Sequence, residues 1–150
     1  MWFTYRSCWE VSVSRKDAKA QIKNVMTENE ISKIIVNSCY QIHTTLGPGL
    51  LESVYEEILH SELTELGLIV ERQKGIPVIW KGNKMNLGFR ADLIIENKVI
   101  IELKSVELIA PVHPKQLLTY LKITNLKLGL LVNFNEALIK NGITRIVNNL

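Results

Sequence analysis

The sequence has 150 residues, of which 47% are hydrophobic and 22% charged, and its formal net charge at pH 7 is +3. This size and apolar fraction suit one domain, and the lack of a signal peptide or of any apolar run near the roughly 20 residues of a membrane-spanning helix predicts a soluble, cytoplasmic protein. The two cysteines, Cys8 and Cys39, are too few for a disulfide framework and lack the paired spacing of a zinc site.

The basic excess lies at the N-terminus. Residues 1–26 contain five basic and two acidic residues, whereas residues 27–150 contain 13 of each. The first segment shows no sustained helical or strand period, so we expect it to be poorly ordered and the domain to span residues 27–150. Met26 stands at this boundary, and the sequence leaves open whether Met1 or Met26 is the natural start. The neutral domain gives little support from bulk charge to nucleic-acid binding.

Two helices are predicted first. Thr27 and Glu30 have the spacing of a capping box, and apolar residues follow at helical intervals, namely Ile31, Ile34, Ile35, Cys39 and Ile42. The glycines and proline of residues 47–49 end this helix. A second helix then runs to Leu66 and Gly67, and its apolar stripe consists of Val54, Ile58 and Leu59. The two helices are expected to pack as a hairpin.

A series of β-rich runs follows. They cover residues 68–71, 76–80, 85–89, 93–95 and 99–106. We interpret them as an antiparallel meander with Trp80 and Phe89 in its core. A helix over 114–123, an apolar strand over 128–134 and a short element over 143–147 complete the pattern. The order predicts an α/β fold with a mixed, mostly antiparallel sheet.

Three charged residues interrupt the apolar strands. Asp92, Glu102 and Lys104 need a partner, a metal ion or a solvent-filled cleft, because burying an unpaired charge costs several kcal/mol. Glu102 and Lys104 are two apart, so they share one face of a strand. Two carboxylates suit Mg²⁺ or Mn²⁺, which activates water for phosphodiester hydrolysis, and a lysine neutralises developing charge. The alternative is a salt bridge between these residues without any ion.

Strand register tests the metal-site hypothesis. A two-residue turn at Asn97 and Lys98 would pair Asp92 with Leu103 and turn it away from Glu102. A three-residue turn over 96–98 would place Asp92 opposite Glu102. The hypothesis therefore predicts the longer turn or a bulge.

Two helices contribute further candidates. Glu52 and Tyr55 are three apart near the start of the second helix, where the helix dipole favours an anion. Gln116 and Tyr120 are four apart and share one face of the later helix. Each pair suits either a functional cleft or an ordinary solvated helix surface.

Together these residues resemble a known family. The stretch from Gly49 through Glu52 to Tyr55 matches the G-x-x-E-x-x-Y signature of the GxxExxY proteins, a prokaryotic group of the PD-(D/E)XK nuclease superfamily. The resemblance spans about residues 28–150 and extends to Asp92, to Glu102 and Lys104, and to Gln116 and Tyr120. The proline that usually precedes the catalytic aspartate is replaced here by Ala91.

The resemblance implies a restriction-endonuclease-like core and a Mg²⁺- or Mn²⁺-dependent nuclease. It makes Asp92 and Glu102 metal ligands with the helix-borne Glu52, and Lys104 the catalytic lysine. Gln116 and Tyr120 resemble the Q-x-x-x-Y motif of RecB-type nucleases. The implied substrate is DNA or RNA, with DNA preferred by analogy, and a homodimer would supply more binding surface. The alternatives are an idle nucleic-acid-binding or accessory module on the same scaffold and a purely structural ion-pair network.

Overall fold

A computed structural model describes residues 26–150, so nearly all of the predicted poorly ordered segment 1–26 lies outside the described residues. The described part forms helices α1 (Glu28–Leu46), α2 (Glu52–Glu65), α3 (Val112–Thr124) and α4 (Ile139–Gly142), and strands β1 (Val70–Trp80), β2 (Asn83–Ile95), β3 (Val99–Lys104), β4 (Leu128–Asn133) and β5 (Ile143–Val147). No helix within this part is long and apolar enough to cross a membrane.

The five strands form one mixed sheet in the order β1-β2-β3-β4-β5. Neighbours are antiparallel except β3 and β4, which are parallel. A parallel pair needs a crossover, and α3 supplies it. This architecture confirms the predicted α/β, restriction-endonuclease-like fold.

Helices cover both faces of the sheet. On one face, α1 and α2 bury apolar side chains against β2, β3 and β4. On the other face, Leu117 and Leu121 of α3 pack against Ile100 and Leu131. The approach of α3 is close, because a Cβ atom at Gly129 would lie 2.9 Å from the Cγ of Leu117. The centre of the sheet is therefore buried on both sides.

The start of α1 agrees with the sequence prediction. Glu30 N donates to Thr27 Oγ1 at 3.3 Å, and Thr27 N donates to Glu30 Oε2 at 2.7 Å. Both bonds of the capping box are present. The stripe predicted for α2 is wrong in part, because Val54 is 38% exposed and the fully buried residues are Tyr55, Leu59 and Leu63.

The predicted meander is also wrong in detail. Four of its short runs merge into two long strands, β1 of 11 residues and β2 of 13. The polar breaks in the sequence keep their backbone pairing, for example between Lys74 and Ala91. Trp80 is not a core residue but is 65% exposed at the end of β1. Hydrophobic periodicity reveals strands that bury one face. The outer half of this hairpin buries little surface, so the periodicity did not reveal the full length of its strands.

Candidate active site at the fork of strands β2 and β3

Strands β2 and β3 separate beside the three predicted residues. Their paired residues begin at Ile95 with Val99 and end at Leu93 with Ile101. The turn therefore has the three residues 96–98, as the metal-site hypothesis required. This register sets Asp92 opposite Glu102.

Asp92 is held by the backbone of the neighbouring strand. Beyond the last paired residues, the amide N of Leu103 donates to Asp92 Oδ2 at 2.8 Å. If the strand pairing continued, a backbone carbonyl of β2 would accept this hydrogen bond. Here the side-chain carboxylate of Asp92 accepts it instead. The bond fixes the Asp92 carboxylate at the point where the strands part.

Glu102 is a buried carboxylate with an unsatisfied oxygen. It is 9% exposed, and its Oε1 has no hydrogen-bond partner among the described residues. Burial and, next, the negative charge of Asp92 raise the pKa of Glu102 to about 8. Burial also raises the pKa of Asp92. Without a cation, this pair favours a state that retains a proton.

Lys104 lies between the carboxylates of two elements. Its Nζ is 3.9 Å from Oε1 of Glu52, which α2 presents from its first turn. Its positive charge opposes the pKa increases of Glu52, Asp92 and Glu102. Within residues 26–150, Lys104 makes no ion pair closer than this one. The site is therefore not the closed ion-pair network of the structural alternative.

Sequence reasoning missed three residues of the site. Glu56 is buried and accepts from Nε of Arg72 and from Nε2 of Gln73, each at 2.6 Å. Gln73 Nε2 also lies 3.3 Å from Asp92 Oδ1, so it links the two carboxylates. Glu56 was detectable, since it is four residues from Glu52 on the same helix and shares its face.

Gln73 carried no sequence signal. It lies within β1 but has a φ of 51°, in the left-handed region that a non-glycine residue rarely adopts. Such strain persists where surrounding contacts hold it, and it is common at functional sites. Here the contacts are the hydrogen bonds of its side-chain amide to Glu56 and Asp92.

Helix α3 borders the site from the other face of the sheet. Burial raises the pKa of Tyr120, and the charges of Glu102 and Asp92 raise it further, while a hydrogen bond with Gln116 lowers it. The ring of Tyr120 stacks on Phe89, with centroids 3.8 Å apart. The structure thus brings the predicted Gln116 and Tyr120 pair next to the carboxylates.

Tyr55 does not belong to this group. Its hydroxyl donates to the carbonyl of Gly47 at 2.6 Å and accepts from the amide of Leu50 at 3.2 Å. Its ring is fully buried and stacks on Phe134, with centroids 4.3 Å apart. Tyr55 therefore fixes the connection between α1 and α2, from which Glu52 projects.

The carboxylates of the site are the donors available to a divalent cation. No group of three or more His, Cys, Asp or Glu side chains in residues 26–150 is arranged to hold one. Asp92 and Glu102 nevertheless form an adjacent pair with one unsatisfied, buried oxygen. Mg²⁺ is commonly bound by one or two carboxylates, with water and substrate phosphate as its other ligands. The two residues fit such an ion.

One comparison with known proteins identifies a family for this chain. Residues 29–146 match the family model of the PD-(D/E)XK nuclease superfamily. Among curated proteins, none matches the chain significantly. Among solved structures, the crystal structure of SSO0001 aligns with a TM-score of 0.38 and 20% identity over 86% of this chain. The alignment spans 60% of the length of that protein.

Proposed function

The chain belongs to the PD-(D/E)XK nuclease superfamily, and we propose that it is a nuclease that hydrolyses phosphodiester bonds of DNA with Mg²⁺ or Mn²⁺. Nucleases of this superfamily generally use divalent metal ions. The observation that supports the proposal most is the buried, unpartnered Oε1 of Glu102 beside Asp92. A buried oxygen without a hydrogen bond costs about 1–3 kcal/mol or more, which a bound cation would offset.

Asp92 and Glu102 would hold the ion directly, and Glu52 is the third predicted ligand. A bound divalent ion polarises the phosphate and lowers the pKa of a water molecule. Gln73 and the backbone of Leu103 keep the Asp92 carboxylate oriented. Lys104 stabilises the charge that develops on the phosphate oxygens, because its ammonium group lies on the same face as Glu102.

Gln116 and Tyr120 complete the proposed site from α3. Burial and, next, the charges of the nearby carboxylates raise the pKa of Tyr120, so its hydroxyl stays a neutral donor. A neutral donor at this position binds a phosphate oxygen without adding negative charge. Gln116, exposed on the same helix face, offers its amide to the nucleic acid.

We also propose which group of the superfamily the chain belongs to. Gly49, Glu52 and Tyr55 support membership of the GxxExxY group within the superfamily. The roles of Tyr55 and Glu52 are compatible with that signature, since one fixes the helix connection and the other faces Lys104. DNA as substrate, a cytoplasmic location and a homodimer stay predictions.

Metal binding by calorimetry tests the proposal first. The wild-type protein is titrated with Mg²⁺ and with Mn²⁺ at pH 7, beside an Asp92→Ala/Glu102→Ala double variant. We expect binding that the double variant loses. Because Glu102 holds a proton at this pH, binding should also release protons, which appears as a dependence of the heat on the buffer. Glu107→Ala, at an exposed carboxylate outside the site, is the control and should bind normally.

Cleavage is measured on the same proteins with supercoiled plasmid DNA, linear duplex and RNA. The wild type and the Glu107→Ala variant should cut in Mg²⁺ or Mn²⁺, whereas Lys104→Ala should bind metal but lose at least about 100-fold in rate. An intact wild type that binds no divalent ion would overturn the metal site. Metal binding without cleavage of any substrate would instead favour the accessory-module alternative.

A further inference from the structure

The outer half of the β1–β2 hairpin extends beyond the covered sheet. We define residues 75–90 as the arm. Burial along β2 changes sharply at its base, because Ala91 and residues 93–95 are buried whereas residues 83–88 are all exposed. Large apolar side chains on the arm are open to solvent, notably Ile79 at 64%, Trp80 at 65% and Leu87 at 84%.

Charge is also separated between the arm and the body. The arm contains Lys81, Lys84 and Arg90 and no acidic residue, for a net charge of +3. The other described residues, 26–74 and 91–150, contain ten basic and 13 acidic residues, for a net charge of −3. The three arm cations make no ion pair with any residue in 26–150. The net charge of zero over the described residues is therefore the sum of a positively charged arm and a negatively charged remainder of the domain.

The arm is continuous with the proposed active site. Arg90 is two residues from Asp92 on the same strand, which places it at the inner end of the arm. Phe89, which directly precedes Arg90, stacks on Tyr120 at the edge of the site. A cleft of about 390 Å³ runs along the arm, with Phe89 and Arg90 at its inner end and Lys84 and Met85 at its outer end.

We infer that the arm is the DNA-binding element of this protein and holds the phosphate backbone of a duplex beside Asp92 and Glu102. The inference rests on the proposed nuclease function. The carboxylates of the site repel a polyanion, so affinity must come from cations placed elsewhere. The arm supplies three cations without ion pairs in residues 26–150, Arg90 next to the site and Lys81 and Lys84 farther out. Its exposed aromatic and apolar side chains suit contacts with bases and sugars.

The shape of the arm favours duplex DNA as its partner. A two-stranded β-ribbon fits the major groove of B-DNA, whereas the major groove of A-form RNA is too deep and narrow. A second copy of the chain is a less suitable partner, because pairing of two arms would bring like charges together. Lys84 is eight residues from Asp92 along β2, a span of about 26 Å at roughly 3.3 Å per residue. This span corresponds to about 8 base pairs at roughly 3.4 Å each.

DNA binding without cleavage tests the inference. Fluorescence anisotropy with a labelled 20-base-pair duplex is measured in EDTA for the full chain, a Lys81→Gln/Lys84→Gln arm variant and a Lys127→Gln/Lys140→Gln control. The control loses the same charge at exposed positions outside the arm. All three proteins share residues 1–26, so the basic N-terminal segment does not differ between them.

We expect the arm variant to bind about tenfold or more weakly near 0.15 M salt, and the control to stay within about threefold. The slope of log K against log salt should become less negative by about 1.8 in the arm variant, because each lost phosphate contact contributes about 0.9. Thermal unfolding of the three proteins should agree within a few degrees, since all four lysines are exposed.

Equal affinities and salt slopes for the arm variant and the wild type would overturn the inference, as would a wild type that does not bind the duplex. Arm-dependent binding to anionic phospholipid vesicles, without arm-dependent DNA binding, would assign the arm to a membrane surface and also overturn it. The assay contains no divalent ion. Failure of cleavage therefore leaves the arm result standing, and failure of the arm leaves the nuclease proposal standing.

Discussion

At the scale of single residues, the site is defined by two carboxylates that one strand register brings together. Asp92 has hydrogen bonds from Leu103 and Gln73, whereas Oε1 of Glu102 has none. The less satisfied carboxylate is also the one whose pKa rises to about 8. Glu102 therefore responds most strongly to a proton or a cation.

Protonation of Glu102 predicts how the stability of the metal-free protein depends on pH. Its pKa rises from an ordinary 4.5 to about 8 on folding, so the folded state binds the extra proton. The resulting stabilisation is fully present below about pH 4.5 and is lost as pH rises through 8. In EDTA, the Tm of the wild type should fall between pH 5.5 and 8.5 by on the order of 5 °C more than that of Glu102→Gln.

Glu107→Gln is the matched control for this titration, because it neutralises an exposed glutamate of the same segment. It should keep the pH dependence of the wild type. Saturating Mg²⁺ at pH 8.5 should restore the Tm of the wild type but not that of Glu102→Gln, since a ligand of the folded state stabilises it. Parallel curves for wild type and Glu102→Gln in EDTA would contradict the assigned pKa shift.

At the scale of elements, the connection between α1 and α2 depends on one tyrosine. Tyr55 bonds to both Gly47 and Leu50, and the carbonyl of Leu50 also accepts from Ser105 Oγ at 2.6 Å, just beyond β3. These bonds join the helix connection to the strand that carries Glu102 and Lys104. The motif tyrosine thus supports the site without entering it.

Tyr55→Phe should lower the free energy of unfolding by about 1–2 kcal/mol, because it keeps the buried ring but leaves two backbone groups without their partner. Tyr40→Phe removes a hydroxyl from a side chain that is 41% exposed on α1 and should change stability by less than about 0.5 kcal/mol. Urea denaturation measures both. Equal effects of the two substitutions would mean that the Tyr55 bonds do not stabilise the connection.

The elements also show what the sequence could predict. The capping box at Thr27 was predictable, because short-range chemistry determines it. The turn over 96–98 was predicted only from the metal-site hypothesis, since the sequence also allowed a two-residue turn. The left-handed backbone of Gln73 was not, since it depends on partners in α2 and β2 that are distant in sequence. The residue types Asp92, Glu102 and Lys104 indicated the site because charges are rare within buried strands.

At the scale of the whole molecule, total charge concealed an arrangement that matters for function. A count over residues 27–150 gives 13 basic and 13 acidic residues. The long hairpin separates these charges. Its length is visible in the backbone pairing of β1 and β2 but not in the apolar periodicity of the sequence. An asymmetric charge distribution orients an approaching polyanion even when the net charge is near zero. The arm would therefore steer DNA toward the neighbouring carboxylates.

The division at residue 26 leads to a prediction for the whole domain. The first turn of α1 is satisfied by its own capping box, and Lys98 Nζ donates to the carbonyl of Met26 at 2.5 Å. The sheet and the helices on both of its faces lie within residues 26–150. A fragment that starts at Met26 should therefore unfold cooperatively, with a Tm within about 4 °C of the full chain, which corresponds to roughly 1 kcal/mol. Differential scanning calorimetry of both proteins measures this, and a fragment that is molten or lacks a cooperative transition would place part of the folding domain upstream of Met26.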